Sequence, residues 1–134
     1  MTWDEARNYV AEKHGIVQDK ENMIIFWTKT QDGTDVPIFL ECDEFQKTEW
    51  LIIKARVGTF PPNEYKRLID TIGDQWPNGG IDIMGEDEQV WIRYCYPIAN
   101  MVTDRDGAVF GNELRVRIWS IAGDVESINA RMAR

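Results

Sequence analysis

The sequence predicts an α+β fold in which an antiparallel sheet of about five strands carries helices mainly on one face. In residues 50–57 every second side chain from Leu51 to Val57 is aliphatic, as in a strand with one buried face. Residues 81–96 repeat the alternation on both sides of an acidic turn, which is typical of a hairpin. Residues 65–72 carry apolar side chains at helical spacing. The predicted order is α-β-β-β-α-β-β-α, and the 134 residues fit one domain, 1–134.

The first helix begins with a capping box, because Thr2 is followed three residues later by Glu5. Its apolar side chains fall on one helical face: Trp3, Ala6, Tyr9 and Val10. Gly15 supplies the left-handed residue that commonly ends a helix. His14, the only histidine, lies at that end, where we expect it to cap the helix or to be exposed.

Three strands follow the first helix. Residues 23–30 are rich in β-branched and aromatic side chains, and Asp32-Gly33 marks a turn. In residues 36–42 one face collects Val36, Ile38, Leu40 and Cys42. Pro37 cannot donate a ladder hydrogen bond, so we expect an edge position or the start of a strand there. Residues 43–49 are predicted as a polar connection. The third strand directs four side chains to the core: Leu51, Ile53, Ala55 and Val57.

The second helix is expected to start with Asn63 as its cap, or after a turn that begins at Pro62. Its apolar stripe consists of Tyr65, Leu68, Ile69 and Ile72. Gly73 is predicted to end it, and residues 76–80 to form a loop. The hairpin then turns at Gly85–Glu88. Its alternating apolar side chains are Ile81 and Ile83 before the turn and Val90, Ile92, Tyr94 and Tyr96 after it.

The last part of the chain predicts a helix from Gly111, with Asn112 as its cap. Its apolar side chains step by three and four residues: Leu114, Ile118, Ile121, Val125, Ile128 and Met132. Residues 114–119 also alternate as a short strand does, so that alternative stays open. Residues 98–110 show no clear period, and Asp104–Gly107 is predicted as a turn or exposed loop.

Charge and composition bound the partners. The net charge is −8 and the sequence pI is about 4.6, so the chain repels phosphate backbones and anionic lipid. We therefore expect no nucleic acid and no membrane surface among its partners. The N-terminus has neither the basic nor the apolar region of a signal peptide, and no apolar run approaches the length of a membrane helix. Cys42 and Cys95 are expected to be reduced core thiols, which favours a cytoplasmic location.

The residues predict no catalytic centre, no metal site and no cofactor. A single histidine removes the usual centre of a triad or of a histidine-rich metal site. Asp104 and Asp106 resemble the start of a calcium loop, but the closing ligands are missing. Gly79-Gly80 precedes a strand rather than a helix, so it is not a phosphate loop.

Aromatic side chains are the remaining candidates for function. Trp50 and Ile52 lie on the face of their strand opposite the aliphatic stripe, and Trp91 lies on a second strand. If helices cover only one side of the sheet, these three side chains form an apolar patch in water, and such patches usually mark an interface. The competing interpretation is that the last helix or a loop covers this face.

Three segments carry a resemblance to a known family: WLIIKARVG (50–58), NEYKRLIDTIGDQWP (63–77) and GIDIMGEDEQVWIRYCYPI (80–98). With the element order, they resemble the type III secretion chaperone-like fold, and within it the YbjN-type proteins. The resemblance implies a homodimer without enzymatic activity that binds a protein client through apolar sheet surface or an edge strand. YbjN-type relatives are linked to bacterial regulation. The longer, glycine-bearing region 98–113 departs from that pattern.

Two other functions stay open. One is a small-ligand-binding or hydrolytic protein that uses carboxylates and tyrosines in a pocket between sheet and helices. The other is an immunity- or antitoxin-type inhibitor, whose acidic surface would suit a basic toxin.

Overall fold

The structure is a computed structural model that describes residues 1–75, 80–101 and 113–134. Within these residues it contains three α-helices, six strands and two short 3-10 helices. The α-helices are α1 (Trp3–Lys13), α2 (Tyr65–Gln75) and α3 (Glu113–Met132). The strands are β1 (Gln18–Asp19), β2 (Met23–Lys29), β3 (Asp35–Phe45), β4 (Thr48–Gly58), β5 (Gly80–Met84) and β6 (Gln89–Pro97). The predicted α+β class is confirmed.

All strands form one antiparallel sheet in the order β1-β2-β3-β4-β6-β5. The sheet has one strand more than predicted, because Gln18 and Asp19 pair with Ile25 and Ile24. Both β1 residues are exposed, so no apolar alternation marked this strand in the sequence.

The three helices share one face of the sheet with a single core. The predicted stripes of β3 and β4 lie in this core, where Cys42 is partly buried and the other members are buried: Val36, Ile38, Leu40, Leu51, Ile53, Ala55 and Val57. Helix side chains complete it: Ala6, Val10, Leu68, Ile72, Leu114, Ile118, Ile121, Val125 and Ile128. The prediction that helices cover one face is therefore confirmed, and residues 114–119 are helical rather than extended.

The segment 43–49 is not the predicted polar connection. β3 continues to Phe45 and β4 begins at Thr48, so only Gln46 and Lys47 form the turn, with φ of 51° and 66°. Positive φ at both central residues is the geometry of the tight hairpin turn that matches strand twist. Neither residue is glycine or asparagine, and apart from Phe45 the nearest flanking residues are polar: Glu44, Thr48 and Glu49. The usual sequence signals of a hairpin were therefore absent.

The predicted edge position of Pro37 is wrong, because β3 lies between β2 and β4. The alternative, a position at the start of a strand, agrees with the structure. The pairing between β3 and β4 stops at Ile38 and Ala55. The Ile25 carbonyl accepts from β1's neighbour Val17, so Trp27, two residues on, also directs its backbone groups away from β3. The nitrogen of Pro37, which pairs with Trp27, therefore points toward β4, where the ladder has ended. No ladder hydrogen bond is lost there.

The helix ends follow the predictions in part. Thr2 accepts a hydrogen bond from the Glu5 backbone N–H at 3.2 Å, and Gly15 leaves α1 with φ of 75°. Asn63 does not cap α2, because it lies inside a 3-10 turn, Pro62–Glu64, that precedes the helix. α2 also continues past Gly73 to Gln75. Of the loop predicted at 76–80, residues 76–79 lie outside the described residues, and Gly80 belongs to β5 rather than to a loop. The turn predicted at Asp104–Gly107 also lies outside the described residues.

Polar contacts fix α3 at its C-terminal end. The guanidinium of Arg67 on α2 donates to the carbonyl oxygens of Arg131, Met132 and Arg134 at 2.9, 3.2 and 2.6 Å. The amide of Asn129 donates to the Val57 carbonyl at 3.0 Å. The Arg67 bonds reach carbonyl oxygens at the C-terminal end of α3, which a helix terminus leaves without helical partners, and hold α3 against α2. The Asn129 bond holds α3 against the end of β4.

Candidate protein-binding surface

The sheet face turned away from the helices is called the open face here. It consists of alternate residues of five strands, assigned from the strand register. Its large apolar side chains are Met23, Ile25, Trp27, Pro37, Phe39, Phe45, Trp50, Ile52, Trp91, Pro97 and Met84. None of these side chains belongs to the core shared with the helices, and no described helix contributes to the open face.

Trp50, Ile52 and Trp91 all lie on the open face, as the sequence predicts. They do not form one patch. Trp91 is opposite Arg56 on β4, whereas Trp50 is six residues further along that strand, a distance of about 20 Å at the rise of a strand. Ile52 lies between Glu41 and Cys95 on the neighbouring strands.

Trp91 is not wet. Its ring is stacked on the ring of Phe39, with centroids 4.6 Å apart and planes at 20°, and Trp91 is only 4% exposed. The two rings belong to strands on either side of β4, so they meet above β4. The expectation that Trp91 contributes to an apolar patch in water is therefore wrong, because a neighbour on the same face covers it.

Charged pairs occupy the middle of the open face. The Lys54 ammonium lies 3.5 Å from the Glu41 carboxylate, and their side chains are only 17% and 19% exposed. Arg93 contacts Asp82 at 3.3 Å on the β5 side. A partner that covered this centre would have to keep these charges paired, because an unpaired buried charge costs several kcal/mol.

The most exposed aromatic side chains of the open face are Trp27 and Phe45, at 44% and 65%. Trp27 lies on β2 beneath the Arg56 guanidinium, which is 6.0 Å from the ring centroid. Phe45 lies at the far end of β3. Eight residues separate Phe45 from Pro37, the partner of Trp27, so the two aromatics are about 27 Å apart along the strand. Sequence reasoning missed both: Phe45 fell in the segment predicted as a connection, and Trp27 was placed on a strand but not on this face.

Trp50 is half-buried, and its indole N–H is buried without a hydrogen-bond partner among the described residues. It lines a broad depression of about 920 Å³ at the end of the sheet, next to Lys47, Pro97 and Asn100. An unpaired buried N–H costs about 1–3 kcal/mol.

A second polar contact joins α3 to the helix side of the sheet. The Tyr94 hydroxyl donates to the Asp124 carboxylate at 2.8 Å. Burial and the neighbouring carboxylate raise the pKa of Tyr94, which keeps the phenol protonated as a donor. The pair joins β6 to α3 and contains one carboxylate, not the cluster that a ligand-binding or hydrolytic pocket would need. The described ranges also contain no group of three potential metal ligands.

His14 caps α1, as expected, but it is not simply exposed. The centroid of its ring lies 5.1 Å from that of Phe26, and burial lowers the pKa of His14.

Cys42 and Cys95 are both free thiols. Cys42 faces the helices, whereas Cys95 is exposed on the open face, so only Cys42 resembles the expected core thiol.

Comparisons of the chain with protein-family models, curated proteins and solved structures found no significant match. The resemblance to YbjN-type and secretion chaperone-like proteins therefore stays a prediction. None of the helices in the described ranges is long and apolar enough to span a membrane.

Proposed function

We propose that this chain is a non-enzymatic protein-binding module of the cytoplasm that forms a homodimer through its open face. The observation that carries the proposal is a sheet face that no described helix covers and that presents exposed Trp27 and Phe45. Trp and Phe are enriched at interfaces, where they bury large areas at a small cost in conformational entropy.

A second copy of the chain fits this face. Trp27 and Phe45 are about 27 Å apart, and a standard interface of about 800 Å² per partner is roughly 30 Å across, so one interface covers both. Glu41 and Lys54 lie between them as a pair of opposite charges. Across a two-fold axis near this pair, each carboxylate would face the ammonium of the other copy. Such a face is self-complementary, as a two-fold dimer requires.

The role of the three sequence-predicted interface residues differs within this proposal. Trp50 and Ile52 are half-buried and keep apolar surface for a partner. Trp91 is buried and holds Phe39 in place by stacking on its ring. The family resemblance, which implies a dimer that binds a protein client, agrees with the proposal.

Sedimentation velocity over a range of protein concentrations tests the dimer. Trp27→Ser and Phe45→Ser should each weaken association about tenfold, or about 1.4 kcal/mol, because each removes one of the two exposed aromatic anchors. The matched control is Ile69→Ser on α2, which removes a side chain of similar exposure, 54%, on the opposite side of the sheet. A strict monomer at high micromolar concentration, or equal weakening by the control, would reject the open face as the interface.

A further inference from the structure

The outer edge of β2 is only partly paired. β1 pairs with Ile24 and Ile25 of β2. The two residues that flank β1 also bond to this part of β2, because the Val17 N–H donates to the Ile25 carbonyl and the Lys20 N–H donates to the Met23 carbonyl. Since alternate residues of a strand direct their backbone groups to the same side, the N–H and C=O of Trp27 and Lys29 also point outward. Among the described residues no backbone group pairs with them. This stretch is called the free β2 edge.

Two exposed tryptophans flank the free β2 edge from opposite sides of the sheet. Trp27 lies on the open face, whereas Trp119 of α3, which is 63% exposed, lies on the helix side. Trp119 lines a groove of about 280 Å³ together with Lys29, Thr30 and Gln31. A strand added at this edge would therefore have an aromatic surface available on each of its faces.

The helix side of the free β2 edge is acidic. Asp124 and Glu126 line the groove, and the Asp32 backbone N–H donates to the Glu126 carboxylate at 3.4 Å. None of the ion pairs within the described ranges involves these acidic side chains. Among the described residues that line the groove, the cation is Lys29, which is paired with Asp35 at 2.8 Å; both lie on the open-face side of the register.

We propose that the free β2 edge captures an extended protein segment in which apolar and basic residues alternate. The segment would pair with the backbone groups of Trp27 and Lys29, as an added strand does. Its residue opposite Trp27 points to the open face and packs on that ring. The neighbouring residues point to the helix side, where lysine or arginine meets Glu126 and an aliphatic stem covers Trp119.

This inference rests on the proposed protein-binding function and names a partner class and a second site for it. The site shares Trp27 with the proposed dimer surface, so substitutions on its helix side, at Glu126 and Trp119, test the edge independently of the dimer. Glu126 and Trp119 belong to α3, on the other side of the sheet from the dimer surface.

Fluorescence anisotropy with a labelled peptide of alternating valine and lysine tests the inference on the full chain. We expect saturable binding that weakens about fivefold in Glu126→Lys, in line with the reversal of one exposed charge contact. Glu86→Lys makes the same charge change in the β5–β6 turn, at the opposite edge of the sheet, and should change the affinity less than about twofold. Trp119→Ala should also weaken binding.

Two matched peptides separate strand addition from general attraction to an acidic protein. A valine–glutamate peptide should not bind, and a valine–lysine peptide with N-methylated valines, which lacks the edge-facing donors, should bind much more weakly. Equal binding of the N-methylated peptide, equal effects of Glu126→Lys and Glu86→Lys, or no binding of the parent peptide at millimolar concentration would overturn the inference. Sedimentation of Glu126→Lys should still show the wild-type dimer, so failure here and failure of the dimer remain distinguishable.

Discussion

Replacing Trp91 with alanine tests whether the open face is held together by its own side chains. Trp91 is 4% exposed and stacks on Phe39, although no described helix covers it. Truncating a buried Trp to alanine typically costs about 3–5 kcal/mol, and a stacked aromatic pair contributes about 0.5–1.5 kcal/mol beyond buried area. Because neighbours and water can enter the gap on an open face, we expect the lower end of this range, about 3 kcal/mol.

Urea unfolding followed by far-UV circular dichroism measures this loss as a shift of the midpoint at constant slope. The control is Trp119→Ala, which makes the same change at a side chain that is 63% exposed and should alter stability by less than about 0.5 kcal/mol. Domains of this kind have about 5–15 kcal/mol of stability, so the Trp91 variant should remain folded without denaturant.

A double-mutant cycle with Phe39→Leu assigns the loss to the aromatic pair. We expect a coupling of about 1 kcal/mol between Trp91 and Phe39. A cost below about 1 kcal/mol for Trp91→Ala, or a cost equal to that of Trp119→Ala, would refute the packing described for Trp91. That result would restore Trp91 as an exposed candidate for the interface.

Three further predictions concern the hairpin turn and two titrating groups. Changing Gln46 and Lys47 to Asn and Gly should stabilise the fold by about 1 kcal/mol, because the new residues adopt positive φ at lower cost; an unchanged urea midpoint contradicts this. Burial and the Asp124 carboxylate raise the pKa of Tyr94 above its usual 10.0, so the stability it contributes is complete below pH 10 and is lost as the pH rises further. Tyr94→Phe should therefore lose less Tm between neutral and strongly alkaline pH than the wild type, and an equal loss argues against the effect. Burial lowers the pKa of His14 below 6.5, so its contribution is present above pH 6.5 and is lost as the pH falls; an NMR titration midpoint at or above 6.5 for this single histidine rejects its burial.

Period-two alternation predicted the sheet correctly where one face of a strand is buried. Leu51, Ile53, Ala55 and Val57 recur at every second position of β4, and all of them are in the core. This works because burial on one side imposes the period on the sequence. β1 and the tip of the β3–β4 hairpin are exposed or partly exposed to solvent on both faces, so burial imposes no alternating pattern on their sequence. Their pairing depends on tertiary contacts that short polar segments do not encode locally.

The candidate surface was predictable in part. Alternation correctly placed Trp50, Ile52 and Trp91 on one face, because parity along a strand decides the face. The cover over Trp91 depends on Phe39, which is its neighbour only because β3 and β6 lie on either side of β4. That strand order is not the order of the strands in the chain. The exposed fraction of each aromatic side chain also depends on the strand order, so the sequence did not identify Trp27 and Phe45 as exposed.

The arrangement of the open face also indicates how a partner would bind it. The stacked rings and the Glu41–Lys54 pair fix side chains before binding, so little conformational entropy is lost in the centre when a partner arrives. The same ion pair makes burial of the centre costly unless the partner supplies matching charges. Net affinity must then come from the exposed aromatics at the rim, Trp27 and Phe45. A binding surface with apolar anchors at its ends and charges in its middle favours reversible association with a partner of matching charge order over permanent, purely hydrophobic burial.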